Sequence, residues 1–276
     1  MEVNGVTLFT RQVGKGPLVV VLHGGPGAHH DYLLPQYDLL AQGGRSLFYY
    51  DQRGGGQSPV SRETPIGWRE HVADLHGIRE RLGVDRITLC GYSWGGLLAL
   101  LYYLEHPAHV ERLALVAPAA IAAEYRQQFE EEFARRMSSP EVVRERETLR
   151  SSGLRERDPA AYQRRAFELS VAGYFRDFRV AQHLTPFRVT ARTQQGVWDS
   201  LGDSDLRPRI REHVSRFPSP ATRVIHGTFD PIPIASSREL AELMGAELIE
   251  LPTGHCPHVE ATQDFVRALE DFLPTQ

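Results

Sequence analysis

The sequence predicts an α/β fold: a mainly parallel sheet with helices on both faces and an inserted helical cap. Three observations predict it. Short apolar runs alternate with amphipathic stretches over most of the 276 residues, and the alternation breaks between about residues 120 and 208. Two of the apolar runs also end in glycine-rich turns, His23-Gly24-Gly25-Pro26-Gly27 and Gly91-Tyr92-Ser93-Trp94-Gly95. In chain order, strands are expected near 3–10, 18–22, 46–50, 87–90, 113–116, 222–225 and 247–251. Leu18-Val19-Val20-Val21-Leu22 typifies them, a continuous apolar run suited to a short buried strand. Helices are expected near 68–82, 95–105, 236–244 and 261–273.

The stretch from Ala120 to Pro208 is rich in Arg, Glu and Gln, carries apolar residues at helical spacing (Phe129, Phe133, Met137) and is punctuated by Pro140, Pro159 and Pro186. An amphipathic insertion must bury its apolar stripe, and in this fold class the mouth of the site, beyond the carboxyl ends of the strands, is the surface available. The expected division is therefore a core of residues 1–119 and 209–276 and a cap of residues 120–208. No internal repeat or low-complexity segment interrupts it.

Composition narrows the function. Hydrophobic residues make up 41% and charged residues 24%, as in an ordinary globular domain. The net charge of -4, with no basic stripe interleaved with aromatics, argues against nucleic acid as a partner. Lys15 is the single lysine, which places Schiff-base chemistry nowhere but a surface turn. No apolar run approaches membrane-spanning length and the first residues lack the pattern of a signal peptide, so a cytoplasmic location without membrane attachment is the expectation. Cys90 and Cys256 are expected to be reduced, buried thiols. The adjacent His29 and His30 diverge in direction and have no third ligand nearby, so no metal site and no cofactor are expected.

The chemistry lies in the turns. A serine hydroxyl is a poor nucleophile at neutral pH and must be held exposed, beside a base and beside donors for the oxyanion. A sharp strand-to-helix turn does this, and it brings strand and helix so close that glycines are needed two residues before and after the serine. Gly91, Ser93 and Gly95, between Ile87-Thr88-Leu89-Cys90 and Gly96-Leu97-Leu98-Ala99, meet that requirement. The turn after the 18–22 run is the expected source of a second oxyanion donor, Gly25, beside the backbone N–H of Trp94. With the order serine, acid, histidine, most of the 12 histidines drop out. Asp230 follows the β-rich Thr222-Arg223-Val224-Ile225, and His255 follows Glu247-Leu248-Ile249-Glu250-Leu251. His258 is the rival base, disfavoured because it would already be entering the last helix.

HGGPG at 23–27, DQRGGGQS at 51–58, GYSWGG at 91–96, GTFD ending at Asp230 and GHCPH around His255 together resemble the prolyl aminopeptidase (proline iminopeptidase) group of the α/β-hydrolase superfamily. The resemblance spans nearly the whole chain, and DQRGxGxS is its most specific marker. It implies nucleophile Ser93, acid Asp230, base His255 and oxyanion donors Gly25 and Trp94, acting without a cofactor on a short-peptide or small-molecule substrate. It also marks a departure. The group supplies a cap glutamate for the substrate's α-amino group some thirty residues before the acid, where this chain has Gln194-Gln195, and some members follow the acid with a second acidic residue where this chain has Pro231. Glutamine does not offset an ammonium charge. Asp199, Asp203 and Asp205, or Glu130-Glu131-Glu132, are the candidates to replace it. The leading expectation is a prolyl aminopeptidase-like serine hydrolase, with an esterase or lactonase as the alternative and a ligand-binding receptor as the more distant one.

Other polar and aromatic residues are expected to be structural. Asp51-Gln52-Arg53 should brace the sheet edge and the loop beside the elbow, and His71 and Asp74 are polar positions on an amphipathic helix. The Trp94 side chain is equally suited to packing under the cap or touching substrate. Tyr174, Phe175, Phe178 and Phe187 make an aromatic part of the cap, some of it lining the site.

Overall fold

The computed structural model describes residues 1–275. The chain opens on a hairpin, β1 (Glu2–Val3) with β2 (Val6–Thr7), turned by Asn4 (φ 48°) and Gly5 (φ 74°). Asn-Gly with both residues at positive φ is the two-residue turn that matches strand twist. That turn breaks the single strand expected at 3–10. The chain pairs again only at β3 (Thr10–Gly14), which runs antiparallel to β5 (Ser46–Tyr50) at the sheet edge.

The remaining strands are β4 (Leu18–Leu22), β6 (Ile87–Tyr92), β7 (Val110–Val116), β8 (Ala221–Gly227) and β9 (Glu247–Leu251). The seven-stranded sheet has the order β3-β5-β4-β6-β7-β8-β9, and every pair apart from β3 with β5 is parallel. The chain leaves β4 for β5 on one side and returns to β6 on the other. A crevice opens beyond the carboxyl ends of strands where the order reverses in this way, so the ends of β4 and β6 frame the site.

One face of the sheet is covered by α1 (Trp68–Arg81) and α2 (Trp94–Glu105), whose Leu75, Ile78, Leu98 and Leu101 share a core with Val20 and Leu89. Helix α2 is apolar on every side, as suits a helix with no solvent face. On the other face Tyr37 and Leu40 of the 36–43 turn pack with Val19, Val21 and Phe265.

Between β7 and β8 lie α3 (Ala123–Met137), α4 (Pro140–Ser151), α5 (Leu154–Arg157), α6 (Pro159–Ser170), α7 (Ala191–Leu201) and α8 (Arg207–Arg216). Their starts are written in the sequence: Ser139 and Asp158 accept from the amides of Val142 and Ala161, each followed by a proline at the first helical position. The Phe129, Phe133 and Met137 stripe of α3 packs on the 172–174 segment, with Phe133 4.6 Å from the Tyr174 ring. Helix α8 buries Ile210 in the same core as the sheet. The chain closes with α9 (Ile234–Met244), the single turn α10 (Pro257–Glu260) and α11 (Thr262–Glu270). Among the described residues no helix is long and apolar enough to cross a membrane.

Candidate active site

The elbow forms as the glycine spacing requires. Ser93 links β6 to α2 at φ 54° and ψ −119°, a strained conformation for a residue with a side chain. A Cβ at Gly91 would run into the Gly95 carbonyl, and one at Gly95 into the carbonyls of Leu22 and His23. The turn is pinned by Ser93 N donating to Val116 O at 2.9 Å and by Ala119 N donating to Ser93 O at 3.0 Å.

Ser93, Asp230 and His255 come together at the ends of β6, β8 and β9. The Ser93 hydroxyl lies 3.0 Å from His255 Nε2, and His255 Nδ1 lies 2.8 Å from Asp230 Oδ2. Ionised Asp230 can only accept, so Nδ1 carries the ring proton and Nε2 is left to accept from the hydroxyl. The other carboxylate oxygen of Asp230 accepts from Ile232 N at 2.8 Å. Burial acts to raise the Asp230 pKa, but His255, His226 and the hydrogen bonds from His255 and Ile232 outweigh it and hold the carboxyl below its ordinary value.

His258 stands apart from this chain of contacts. It is fully buried among the rings of Tyr37, Tyr92 and Phe265, neither ring nitrogen has a hydrogen-bond partner among the described residues, and burial pushes its pKa down to about 3.

Gly25 (φ 124°), in the turn after β4, lines the same two cavities as Ser93, and Trp94 N opens α2. Among the described residues neither amide donates to a protein acceptor, whereas the neighbouring Gly24 N donates to the Tyr32 hydroxyl at 2.6 Å. Gln52 joins the two halves. Its Nε2 donates to His23 O at 2.8 Å, and its Oε1 accepts from the Trp94 indole at 2.8 Å. His23 Nε2 accepts from Gln52 N at 3.0 Å, so Nδ1 donates to Gly24 O at 2.7 Å, and burial lowers the His23 pKa to about 4. The brace expected of Asp51-Gln52-Arg53 thus has a definite form. Asp51 bonds His30 at 2.7 Å, and Arg53 grips Asp74 through two nitrogens at 2.5 and 2.6 Å.

Two cavities meet at Ser93 and His255. The larger, about 690 Å³, reaches into the cap past Phe129, Glu130, Trp198, Asp199 and Asp203. Its one arginine, Arg126, donates to Gly202 O at 2.8 Å and lies 3.9 Å from Asp203, while Glu130 and Asp199 pair with no cation among the described residues. The smaller, about 80 Å³, is walled by Tyr32, Tyr92, Tyr174, Leu184 and Phe187. Gln194 faces both cavities, and Gln195 donates to Asp199 at 2.8 Å. The remaining candidate carboxylates are engaged elsewhere: Glu131 accepts from Gln127, Glu132 pairs with Arg135 and Arg136, and Asp205 pairs with Arg207. Among the described residues no group of three or more His, Cys, Asp or Glu side chains could hold a metal ion.

The pattern of the family described as alpha/beta hydrolase fold matches residues 17–262. The chain is an alpha/beta hydrolase. The proline iminopeptidase of Lactobacillus helveticus is 34% identical over 129 residues, 45% of this chain and 44% of that protein. The chain spans less than half the length of the curated relatives it matches. In structure, this alpha/beta hydrolase is similar to the proline iminopeptidase of Mycobacterium smegmatis (TM-score 0.70, 19% identity, 98% of this chain and 95% of that one). It is also similar to the enol-lactonase of Burkholderia xenovorans LB400 (TM-score 0.66, 22% identity, 98% and 97%). Likenesses at this identity show the shared fold.

The structure sharpens several of these expectations. The polar positions His71 and Asp74 of α1 are on its buried side: both are about 1% exposed, with Asp74 neutralising buried Arg53 and His71 packing edge-on against Trp94. The Trp94 side chain packs under the cap against Trp198 rather than facing the cavities. Of the cap aromatics, Tyr174 and Phe187 line the site and Phe175 is core. Cys90 and Cys256 are free and buried. Tyr32, which fixes the Gly24 amide and walls the small cavity, lies in a 3₁₀ turn with no motif to mark it.

Proposed function

We propose that this alpha/beta hydrolase is a serine hydrolase working through an acyl-enzyme intermediate, prolyl aminopeptidase-like on short peptides or small amides. The observation that carries this is the unbroken relay from the Ser93 hydroxyl through His255 to Asp230, beside two unengaged amides and two open cavities. Ser93 Oγ attacks the substrate carbonyl while His255 Nε2 takes its proton, and Asp230 stabilises the imidazolium. The amides of Gly25 and Trp94 receive the oxyanion. His255 then returns the proton to the leaving amine, and water repeats the sequence to free the acid.

The two cavities sort the substrate. A small apolar group fits the tyrosine-walled chamber of about 80 Å³, and an ammonium is matched by Glu130 and Asp199 in the larger one. These carboxylates are a replacement for the glutamate that Gln194 does not provide. A second reading, an esterase or lactonase, is favoured by Gln194 itself, because an uncharged amide faces both cavities where the resemblance places a carboxylate.

The test compares rates on a proline aryl amide, its N-acetylated form and a neutral short-chain aryl ester, with Ser93→Ala as the blank. Cleavage of the free-amine substrate that disappears on acetylation supports the aminopeptidase reading. Ester turnover without amide cleavage moves the assignment to the esterase. Fluorophosphonate labelling that survives Ser93→Ala would refute the nucleophile.

A further inference from the structure

We propose that Glu260 is a positioning residue whose carboxylate ties the loop carrying His255 to the cap segment 174–176 and so holds the base in register with Ser93. The inference rests on the Ser93 and His255 reading of the site. Glu260 ends α10, one turn beyond the base. Its Oε1 accepts from Gly254 N at 2.8 Å, on the loop, and its Oε2 accepts from Arg176 N at 2.9 Å, on the cap segment. Between these two bonds His255 N donates to Tyr174 O at 2.6 Å, and the Tyr174 ring stacks on the His255 imidazole with centroids 5.1 Å apart. The backbones are in direct contact: a Cβ on Gly254 would meet the Tyr174 carbonyl and the Arg176 amide. A carboxylate spans the two strands of this junction because it has two acceptor oxygens. A glutamine has one, and would turn an N–H₂ toward one of the amides.

Among the described residues no cation pairs with Glu260. The Arg176 guanidinium turns away, to Pro252 O at 3.2 Å and over the Phe229 ring at 4.4 Å. The groups acting on the carboxyl are Asp230 from the β8 loop, the Arg176 backbone amide from the 174–176 segment, and Cys256 from its own segment. Burial pushes the Glu260 pKa up to about 7, against the lowering by the amides of Arg176, Gly254 and Cys256, with Asp230 adding to the rise. A folded pKa above the ordinary value means that this group's contribution to stability is largest below about pH 4.5 and diminishes as pH rises toward 7. The ionised form, which makes both bonds, is therefore the less favourable one for the fold.

The experiment compares the wild-type chain with Glu260→Gln and Glu260→Asp on the best substrate from the rate comparison, over about pH 5 to 9. For Glu260→Gln, kcat is expected to fall by about tenfold to a hundredfold with KM within about threefold, because a displaced base affects the chemical step. The acid limb of the wild-type kcat profile should lose one proton in Glu260→Gln, and the thermal midpoint at pH 8 should not fall, because removing the buried charge offsets the amide left without an acceptor. Glu260→Asp keeps both acceptors on a shorter stem and should recover part of kcat; it carries the same test if the glutamine variant does not fold. An unchanged kcat, an unaltered pH profile, or a loss of kcat matched by a loss of thermal stability would overturn the proposal. Turnover by Ser93→Ala would instead refute the site reading beneath it, so the two failures are told apart.

Discussion

Replacing Asp230 by asparagine tests the relay with almost no change of shape. One carboxylate oxygen accepts from Ile232 N at 2.8 Å and the other from His255 Nδ1 at 2.8 Å. In Asp230→Asn the amide oxygen is held by Ile232, so the N–H₂ must face His255. Two donors cannot share that contact. The imidazole moves its proton to Nε2, which then donates to Ser93 Oγ and can no longer take the serine proton. The escape is to flip the amide, which strands the buried Ile232 N–H at a cost of about 1–3 kcal/mol. At about 2 kcal/mol the flipped form is roughly 3% of the protein, so the loss is at least about thirtyfold. Without the flip it approaches the roughly 10⁴-fold seen when a triad carboxylate is so replaced. The assay is kcat for the preferred substrate with the thermal midpoint measured alongside. Turnover within about threefold of wild type on an equally stable protein, less than the loss that even a flip costing about 1 kcal/mol would leave, would refute the tautomer assignment.

Gln52→Leu should strand the Trp94 indole N–H and the His23 carbonyl, costing about 2–5 kcal/mol in denaturant unfolding, and should lower kcat more than it raises KM by loosening both oxyanion loops. His255→Ala should remove nearly all turnover while His258→Ala keeps most of it and loses stability by cavity formation, about 2–4 kcal/mol; the reverse pattern of rates would show His258 to be the base. Burial acts to raise the Asp51 pKa, but bonds from His30 and Gln57 and the charge of His23 bring it down to about 2. A depressed carboxyl contributes stability above its unfolded pKa and loses it as pH falls through the folded one. Asp51→Asn should therefore cost about 2 kcal/mol at pH 7, a difference that closes between about pH 4 and 2; a constant gap would show that the carboxylate charge is not the source.

Much of the site was legible in the chain because its chemistry is local. The elbow needs its residue types within five positions, since Gly91 and Gly95 answer to a collision between the two arms of one turn. The second glycine turn and the strand ends that carry Asp230 and His255 follow from short apolar runs, and the Asn4-Gly5 turn is an equally local signal, masked by the apolar residues on either side of it. What the sequence could not show depends on distant segments meeting. Ser93 and His255 stand 162 positions apart; position in the sequence favours His255 over His258, and the 3.0 Å contact of His255 with Ser93, with His258 sealed among aromatic rings, supplies the through-space reason. That His71 and Asp74, polar positions on an amphipathic helix, are buried depends on Arg53 from another element, whose charge lets Asp74 be buried. The bridging roles of Gln52 and Glu260, and the two cavities that Gln194 overlooks, arise the same way. Residue type and short-range spacing set what each turn is able to do; the desolvation and hydrogen-bond partners that select among those capacities come from through-space neighbours, which only the folded chain brings together.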